Sequence, residues 1–314
     1  MHPAFSVIFF TVSSGAGFGL VALVSLLLLL GGTTGPGQET ALIALGLGVL
    51  LAAAGLLSST LHLANPRNAW RAFFRFRSSW LSREGVLAIL FFPVVAVFFV
   101  GLMTQGVDSL SVWVWIAGLL TLVLALATVF TTAMIYASLR TIPQWNNALV
   151  PLNYLLLGLA SGAVLLTAVS SFSADQQQTT IAQLSLTLLA AAGLAKAVYY
   201  FWIGKPQGPM IQSAIGMTRG RARLLEAGQS SDNFLNKEFG YQASASLIGR
   251  LRWLVFIIGF ALPLALLSLV MTTGHSVWAL PAALLLLSGL LVERWLFFAE
   301  ARHTVNLFYG RQRC

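Results

Sequence analysis

Long runs of apolar residues with almost no charge dominate this sequence. Of its 314 residues, 58% are hydrophobic and 9% are charged, whereas about 25% are charged in an average soluble domain. Runs of about 20 apolar residues can cross a hydrocarbon core about 30 Å thick, and a helix satisfies its own backbone hydrogen bonds in lipid. A transmembrane β-barrel would show short segments of alternating polarity instead. The composition therefore predicts an all-α integral membrane protein.

Glycine, proline, asparagine and charged residues divide the apolar runs, and this punctuation predicts eight transmembrane helices. The predicted spans cover roughly residues 6–31, 40–63, 83–104, 110–137, 149–171, 180–203, 251–272 and 277–303. No remaining stretch is long and polar enough to form a separate soluble domain. We therefore expect residues 1–314 to form a single membrane domain, an eight-transmembrane-helix bundle.

The connections between the predicted spans differ in charge. Alternate connections, starting with the first, contain no Lys or Arg and carry Glu39, Asp108, Asp175 and His275. All the arginines lie in or next to the other connections and the C-terminal region. Because cytoplasmic connections are enriched in Lys and Arg, we expect both termini and the basic connections to be cytoplasmic. This topology and anionic lipids explain the sequence pI of about 10.4 without nucleic-acid binding.

The connection between the second and third spans is the most basic. It holds five of the 18 Lys and Arg residues, namely Arg67, Arg71, Arg75, Arg77 and Arg83. Asn65 and Pro66 are typical of a helix start, and three of the arginines recur every four residues opposite aromatic side chains. We expect a short amphipathic helix at the membrane surface, with arginines that meet lipid phosphates or an acidic partner.

His62 and Glu84 lie at the two ends of this connection, at the membrane edges of adjoining spans. Histidine titrates near neutral pH, and a carboxyl group partly removed from water can exchange protons in the same range. Two such groups are suited to pass protons to and from a quinone headgroup. The structural alternatives are an interfacial hydrogen bond for His62 and a helix-dipole interaction for Glu84.

Three further charged residues are predicted within spans. Lys196 lies near the basic end of the sixth span, from which its side chain can extend to the surface. Glu293 and Arg294 lie near the basic end of the eighth span, where we expect structural charge pairs.

Two other segments allow two interpretations each. The small residues SSGAGFG at 13–19 allow close packing against a neighbouring helix, and they could also leave room for a flat ligand ring. The polar connection from Gly204 to Arg250 is either a docking surface for a soluble partner or a solvated loop.

Few metal ligands are available in this sequence. Its single cysteine, Cys314, cannot build an iron–sulfur cluster, a thiolate metal site or an internal disulfide. A b-type haem needs two axial histidines at matched depth. His275 is predicted on the other side of the membrane, which leaves His62 and His303, and neither lies deep in a span. We therefore expect no metal, no haem and no iron–sulfur cluster.

Four separated motifs carry a resemblance to a known family. They are HLANPRNAWRAFFRFRSSWLSREG at 62–85, MIYASLRTIPQW at 134–145, GRARLLE at 220–226 and ERWLFFAEARH at 293–303. In this order, and with the same number of spans, they resemble the DmsC family of membrane anchors, over nearly the whole chain. That family holds dimethyl sulfoxide reductase anchors and membrane subunits of sulfite dehydrogenases.

The resemblance implies an anchor subunit of a bacterial inner-membrane complex that binds a quinone, either ubiquinone or menaquinone. It also implies two partners: an iron–sulfur subunit with four clusters and a molybdopterin catalytic subunit. The quinol-site histidine and glutamate of the family fall on His62 and Glu84. Ser59, one turn before His62, and Tyr136 and Arg140, at the end of the fourth span, are second-rank candidates for the same site.

One departure from the family pattern lies beside the expected site. Relatives often have HLG where this sequence has His62-Leu63-Ala64. The alanine adds one methyl group, which affects the fit of a headgroup there.

The leading hypothesis is a quinone-reactive anchor that exchanges electrons with a docked iron–sulfur subunit, facing the cytoplasm and of sulfite dehydrogenase type. An anchor of a quinol-oxidising dimethyl sulfoxide reductase complex is the alternative. A multi-pass transporter would show inverted repeats and polar groups at the midplane, which the sequence lacks. A purely structural anchor would not require the histidine and glutamate.

Topology labelling tests the expected orientation. With Cys314 replaced by serine, we expect Thr218→Cys to react only with a membrane-permeant maleimide and Asp108→Cys to react with an impermeant one in intact cells. Reaction of Thr218→Cys from outside the cell would reverse the orientation.

Overall fold

Eight long apolar helices make up most of the computed structural model, which describes residues 3–31, 35–60, 66–173, 177–204, 208–220, 222–223, 225, 239–241, 243–309 and 312. They are α1 (Phe5–Leu30), α2 (Gln38–Thr60), α3 (Trp80–Gln105), α4 (Val112–Ala137), α5 (Leu149–Ser170), α6 (Gln178–Ile203), α7 (Ala245–Thr273) and α8 (Ala279–Ala299). Each is long and apolar enough to cross a membrane. The predicted all-α class and the count of eight spans are therefore confirmed.

The last two helices differ from their predicted bounds because of local hydrogen bonds. The backbone N–H of Leu247 donates to the hydroxyl of Ser244, which caps α7 and starts it at Ala245 rather than residue 251. Helix α8 ends at Ala299 rather than residue 303. Beyond it, the N–H of Thr304 donates to the carbonyl of Thr141 at 2.9 Å, so the backbone has left the helix and lies against the turn after α4.

Helices α1 and α5 form the centre of the bundle. In the most apolar stretch of each helix, 78% of the residues of α1 and 67% of those of α5 are buried inside the protein. The corresponding share is 33–39% in the other six helices. Helix α1 packs against α2, α4, α5 and α8. The remaining helices therefore surround a central pair and present most of their apolar side chains outward, as expected in lipid.

The small residues of α1 bring neighbouring backbones close. A Cβ atom on Gly17 would lie 2.5 Å from the Gly48 carbonyl oxygen of α2, and one on Gly19 would lie 1.9 Å from the Gly158 carbonyl oxygen of α5. The interpretation of close helix packing therefore holds for these two glycines. Gly15 differs, because a Cβ atom there would meet nothing within 4 Å.

The expected surface helix spans Pro66–Arg75, but its winding differs from the prediction. It is a 3₁₀-helix with three residues per turn. In such a helix, residues four apart point in different directions around the helix axis. Arg67, Arg71 and Arg75 therefore do not share one face, contrary to the prediction. All three are exposed.

This surface helix lies on the first turns of α3. The ring of Phe73 is close to Gly85, where an added Cβ would lie 3.2 Å from it. The guanidinium of Arg83 donates to the carbonyls of Phe76 and Arg77 at 3.0 and 2.8 Å. These contacts fix the connection against the start of α3.

Glycine substitutions test the central packing. We expect Gly19→Ala to destabilise the protein by at least about 1–3 kcal/mol, because its methyl group would collide with the α5 backbone. Thermal unfolding of the detergent-solubilised protein measures this. Gly46→Ala is the control, since nothing lies within 4 Å of a Cβ atom there. Equal stability of the two variants would contradict the packing.

Candidate functional site

Glu84 is a carboxyl group buried in the second turn of α3. Its side chain is 4% exposed, and the Thr132 hydroxyl of α4 is 2.5 Å from Oε1. The helix begins close by, where the N–H of Ser82 donates to the Ser79 hydroxyl. The carboxyl group therefore lies near the basic end of the bundle but inside the protein, against one polar side chain.

The Thr132 hydroxyl can hydrogen-bond Glu84 in either protonation state. Its oxygen is 2.9 Å from the Thr128 carbonyl as well as 2.5 Å from Glu84. The single hydroxyl hydrogen can be donated to an ionised Glu84. If Glu84 is protonated, its own hydrogen can be donated to the Thr132 oxygen while the hydroxyl hydrogen turns to the Thr128 carbonyl. A carboxyl group in this position keeps a hydrogen bond whether or not it carries a proton.

Tyr136 lies one turn beyond Thr132 on α4, in an aromatic cluster. It stacks on Tyr154 of α5, with ring centroids 6.0 Å apart and an interplanar angle of 27°. Trp145, Phe297 and Phe298 surround it at 5.1–5.5 Å. Tyr136 and Tyr154 are here called the tyrosine pair. The structure therefore joins two of the predicted site residues, Glu84 and Tyr136, in one polar neighbourhood.

Of the other predicted site residues, the structure describes Ser59 and Arg140. His62 lies outside the described residues. Ser59 is half-buried, and its hydroxyl donates to the Leu56 carbonyl at 2.7 Å. Arg140 is exposed in the turn that follows α4. The roles of these three residues stay predictions.

Three charged side chains lie buried between α6 and α8. Lys196 and Arg294 both form ion pairs with Glu293, and the Arg294 Nε atom is 2.6 Å from Oε2. None of the three is more than 5% exposed. The expected charge pairing of Glu293 and Arg294 is confirmed. The expectation that Lys196 extends to the surface is wrong, because Glu293 holds it inside the bundle. We call these three residues the charged cluster.

A second ion pair lies just beyond the end of α8. Arg252 Nη2 is 2.6 Å from Glu300 Oε1, with the arginine side chain 29% exposed and the glutamate 7% exposed. Burial raises the pKa of Glu300 above its usual range, although the Arg252 guanidinium opposes this shift. Glu300 is therefore a buried carboxyl group, paired with a partly exposed arginine, that takes up a proton more readily than an exposed one.

Thr132 and Tyr154 are not among the site residues predicted from the sequence. Threonine in a membrane helix commonly bonds to its own backbone, as Thr128 and Thr131 do here, so composition alone does not single out Thr132. The aromatic ring of Tyr154 is apolar, so the sequence alone assigns this residue to the hydrophobic core. Their position in the sequence could have indicated both residues, because each lies near the basic end of its span.

A larger cleft of about 820 Å³ lies at the opposite end of the bundle, lined by Glu39, Asp108 and Trp115 among others. It is separate from Glu84 and the charged cluster. Among the residues that the structure describes, no three His, Cys, Asp or Glu side chains are close enough together to hold a metal ion.

Comparison with known proteins agrees with this architecture. The family model for the DMSO reductase anchor subunit (DmsC) matches residues 1–311. The sequence is 36% identical to a sulfite dehydrogenase subunit of Allochromatium vinosum, across 98% of this protein and 99% of the relative. It is 30% identical to the anaerobic dimethyl sulfoxide reductase chain YnfH of Escherichia coli, across 46% of this protein and 51% of the relative. It is also 27% identical to a further anaerobic dimethyl sulfoxide reductase chain of Escherichia coli, across 50% of this protein and 54% of the relative.

The family match extends over almost the entire sequence, and the eight apolar helices are those of a multi-pass membrane protein. The chain therefore belongs to the DmsC family of membrane anchor subunits.

Proposed function

We propose that this protein is the quinone-reactive anchor of a molybdopterin oxidoreductase complex. It would exchange electrons between the membrane quinone pool and an iron–sulfur subunit with four clusters. The observation that carries the proposal is the buried carboxyl group of Glu84 with the Thr132 hydroxyl at 2.5 Å. An ionisable group inside a membrane bundle is costly and is therefore a functional candidate.

The chemistry of the site suits a quinone headgroup. A bound quinol supplies two electrons and two protons when it is oxidised, and a quinone takes them up when it is reduced. Glu84 can accept or donate one proton while Thr132 maintains its hydrogen bond. His62 is the proposed second proton acceptor, since histidine titrates near neutral pH. Ser59, Tyr136 and Arg140 are proposed to line the same site.

The iron–sulfur partner is proposed to dock at the same end of the bundle, because electron transfer requires proximity. The surface helix Pro66–Arg75 lies directly on the start of α3, where Glu84 is located, and its arginines are exposed. An acidic surface on the partner would meet these arginines. The polar connection from Gly204 to Arg250 is proposed to contribute to the same docking surface.

We infer a cytoplasm-facing complex of sulfite dehydrogenase type, in the inner membrane of a bacterium with both termini cytoplasmic. Two features support this inference. The basic connections favour the cytoplasmic side, and the sulfite dehydrogenase subunit of Allochromatium vinosum is similar across 98% of this protein. The two Escherichia coli dimethyl sulfoxide reductase chains match only about half of it. An anchor of that second type is the alternative, and identification of the subunits that co-purify decides between them.

Substitutions at the proton-exchanging residues test the proposal. In the purified complex we expect His62→Ala and Glu84→Gln each to lower quinone-coupled turnover about 10²-fold or more, because each removes a proton-transfer group. Thr132→Val should have a smaller effect, since it removes only the hydrogen bond to Glu84. Turnover with an artificial dye should be unchanged in all three variants.

Asp108→Asn, at the other end of the bundle, is the matched control and should behave as wild type. Normal quinone-coupled rates in assembled His62→Ala and Glu84→Gln complexes would rule out the proposed site. Loss of dye-coupled activity together with subunit dissociation would indicate a structural anchor instead.

A further inference from the structure

The charged cluster takes no part in the function proposed above, yet its composition is unusual for a structural element. Glu293 forms ion pairs with two cations, Lys196 and Arg294, so these three side chains carry a net charge of +1 when all are ionised. One cation would be enough to neutralise a buried carboxylate. Because burying an extra charge in a membrane bundle is costly, the second cation calls for a role beyond packing.

The tyrosine pair lies between Glu84 and the charged cluster. The Arg294 Cζ atom is 4.1 Å from the ring centroid of Tyr154. Tyr154 in turn stacks on Tyr136, one turn from the threonine that hydrogen-bonds Glu84. The side chains from Glu84 to Arg294 therefore follow one another across α4, α5 and α8, and the buried Tyr154 hydroxyl has no hydrogen-bond partner among the described residues.

A small cavity adjoins this connection where α1, α5 and α8 meet. Its volume is about 20 Å³, and its lining includes Gly15, Tyr154, Ser161 and Arg294. The Arg294 Nη1 atom is buried and has no hydrogen-bond partner among the described residues. A cavity of about 10–15 Å³ or more with several polar partners can hold one ordered water. The dimensions and the polar lining both fit a single water molecule.

The charged cluster also connects to the protein surface. The Lys196 Nζ atom is 4.8 Å from the ring centroid of Tyr200, and the Arg252 Cζ atom is 4.7 Å from the same centroid. Arg252 pairs with Glu300 and is partly exposed. Tyr200 therefore lies between the buried charges and an ion pair that reaches solvent.

We propose that the tyrosine pair, an ordered water in the small cavity and the charged cluster form a proton route between Glu84 and the Arg252–Glu300 pair. This inference rests on the proposed function, because the route supplies protons to Glu84 or removes them from it. Only protons move along it, so each proton that leaves Glu84 is matched by one released at the surface. Glu293 and Lys196 can change protonation, whereas Arg294 stays charged and holds the water.

A double substitution tests the route without changing the buried charge. In Lys196→Gln/Glu293→Gln, one cation and one anion are lost together, so the net charge of +1 on Arg294 remains. We expect quinone-coupled turnover of the purified complex to fall about 10-fold or more, with a larger solvent deuterium isotope effect. Dye-coupled activity and the affinity for a fluorescent quinone analogue should be unchanged.

Wild-type turnover with an unaltered isotope effect in this double variant would overturn the route. If the Glu84→Gln complex, measured in the same experiment, still shows lowered quinone-coupled turnover, only the proton route is ruled out and the proposed function stands. If the Glu84→Gln complex also turns over normally, the proposed function itself fails.

Gly15→Ala provides a test that does not disturb the ion pairs. Gly15 lines the small cavity, and a Cβ atom there meets nothing within 4 Å, so the fold should tolerate a methyl group that narrows the cavity. We expect a high-resolution cryo-EM map of the wild-type complex to show one water beside Arg294, and the variant to lack it. Turnover should fall several-fold relative to Gly46→Ala, which adds the same methyl group in α2. No water in the wild-type map, or wild-type turnover in Gly15→Ala, would overturn the inference.

Discussion

Placing ionisable groups inside a membrane bundle is costly, and this cost distinguishes one end of the protein from the other. Glu84 has a threonine hydroxyl against it, and Lys196 and Arg294 share one carboxylate. Apolar helices could pack without these groups, so packing alone does not explain why they are present. All of them lie toward the basic end of the spans, where the connections contain the arginines. The buried ionisable groups and the positive charge thus share one end of the bundle.

Close packing of α1 determines how these groups are brought together. Gly17 and Gly19 allow α2 and α5 to approach the α1 backbone, which draws the surrounding helices around a narrow centre. Glu84 of α3 then lies against α4, and Arg294 of α8 lies against Tyr154 of α5. Gly15, on the same helix, has open space where a Cβ atom would lie and lines the small cavity. The run of small residues therefore serves helix packing, whereas room for a flat ligand ring stays a prediction.

Most of the fold could be predicted from the sequence, because the length and polarity of apolar runs determine which segments cross a membrane. The predictions that were wrong concern side-chain positions and local winding, which the nearby sequence does not determine. Lys196 was expected at the surface, since nothing near it in the sequence indicates that Glu293 lies opposite. The surface helix was expected to place three arginines on one face, but its 3₁₀ winding distributes them around the axis. Glu84 could be singled out from its position, whereas Thr132 required the packing of α3 against α4.

The proposed function requires a quinone to bind at the basic end of the bundle, near Glu84. Photolabelling of the purified complex with an azido-quinone, followed by peptide mass spectrometry, locates the bound quinone. We expect labelled peptides from the end of α2, the start of α3 and the last turns of α4, with reduced labelling in Glu84→Gln. Labelling confined to the cleft beside Glu39 and Asp108 at the opposite end would contradict it.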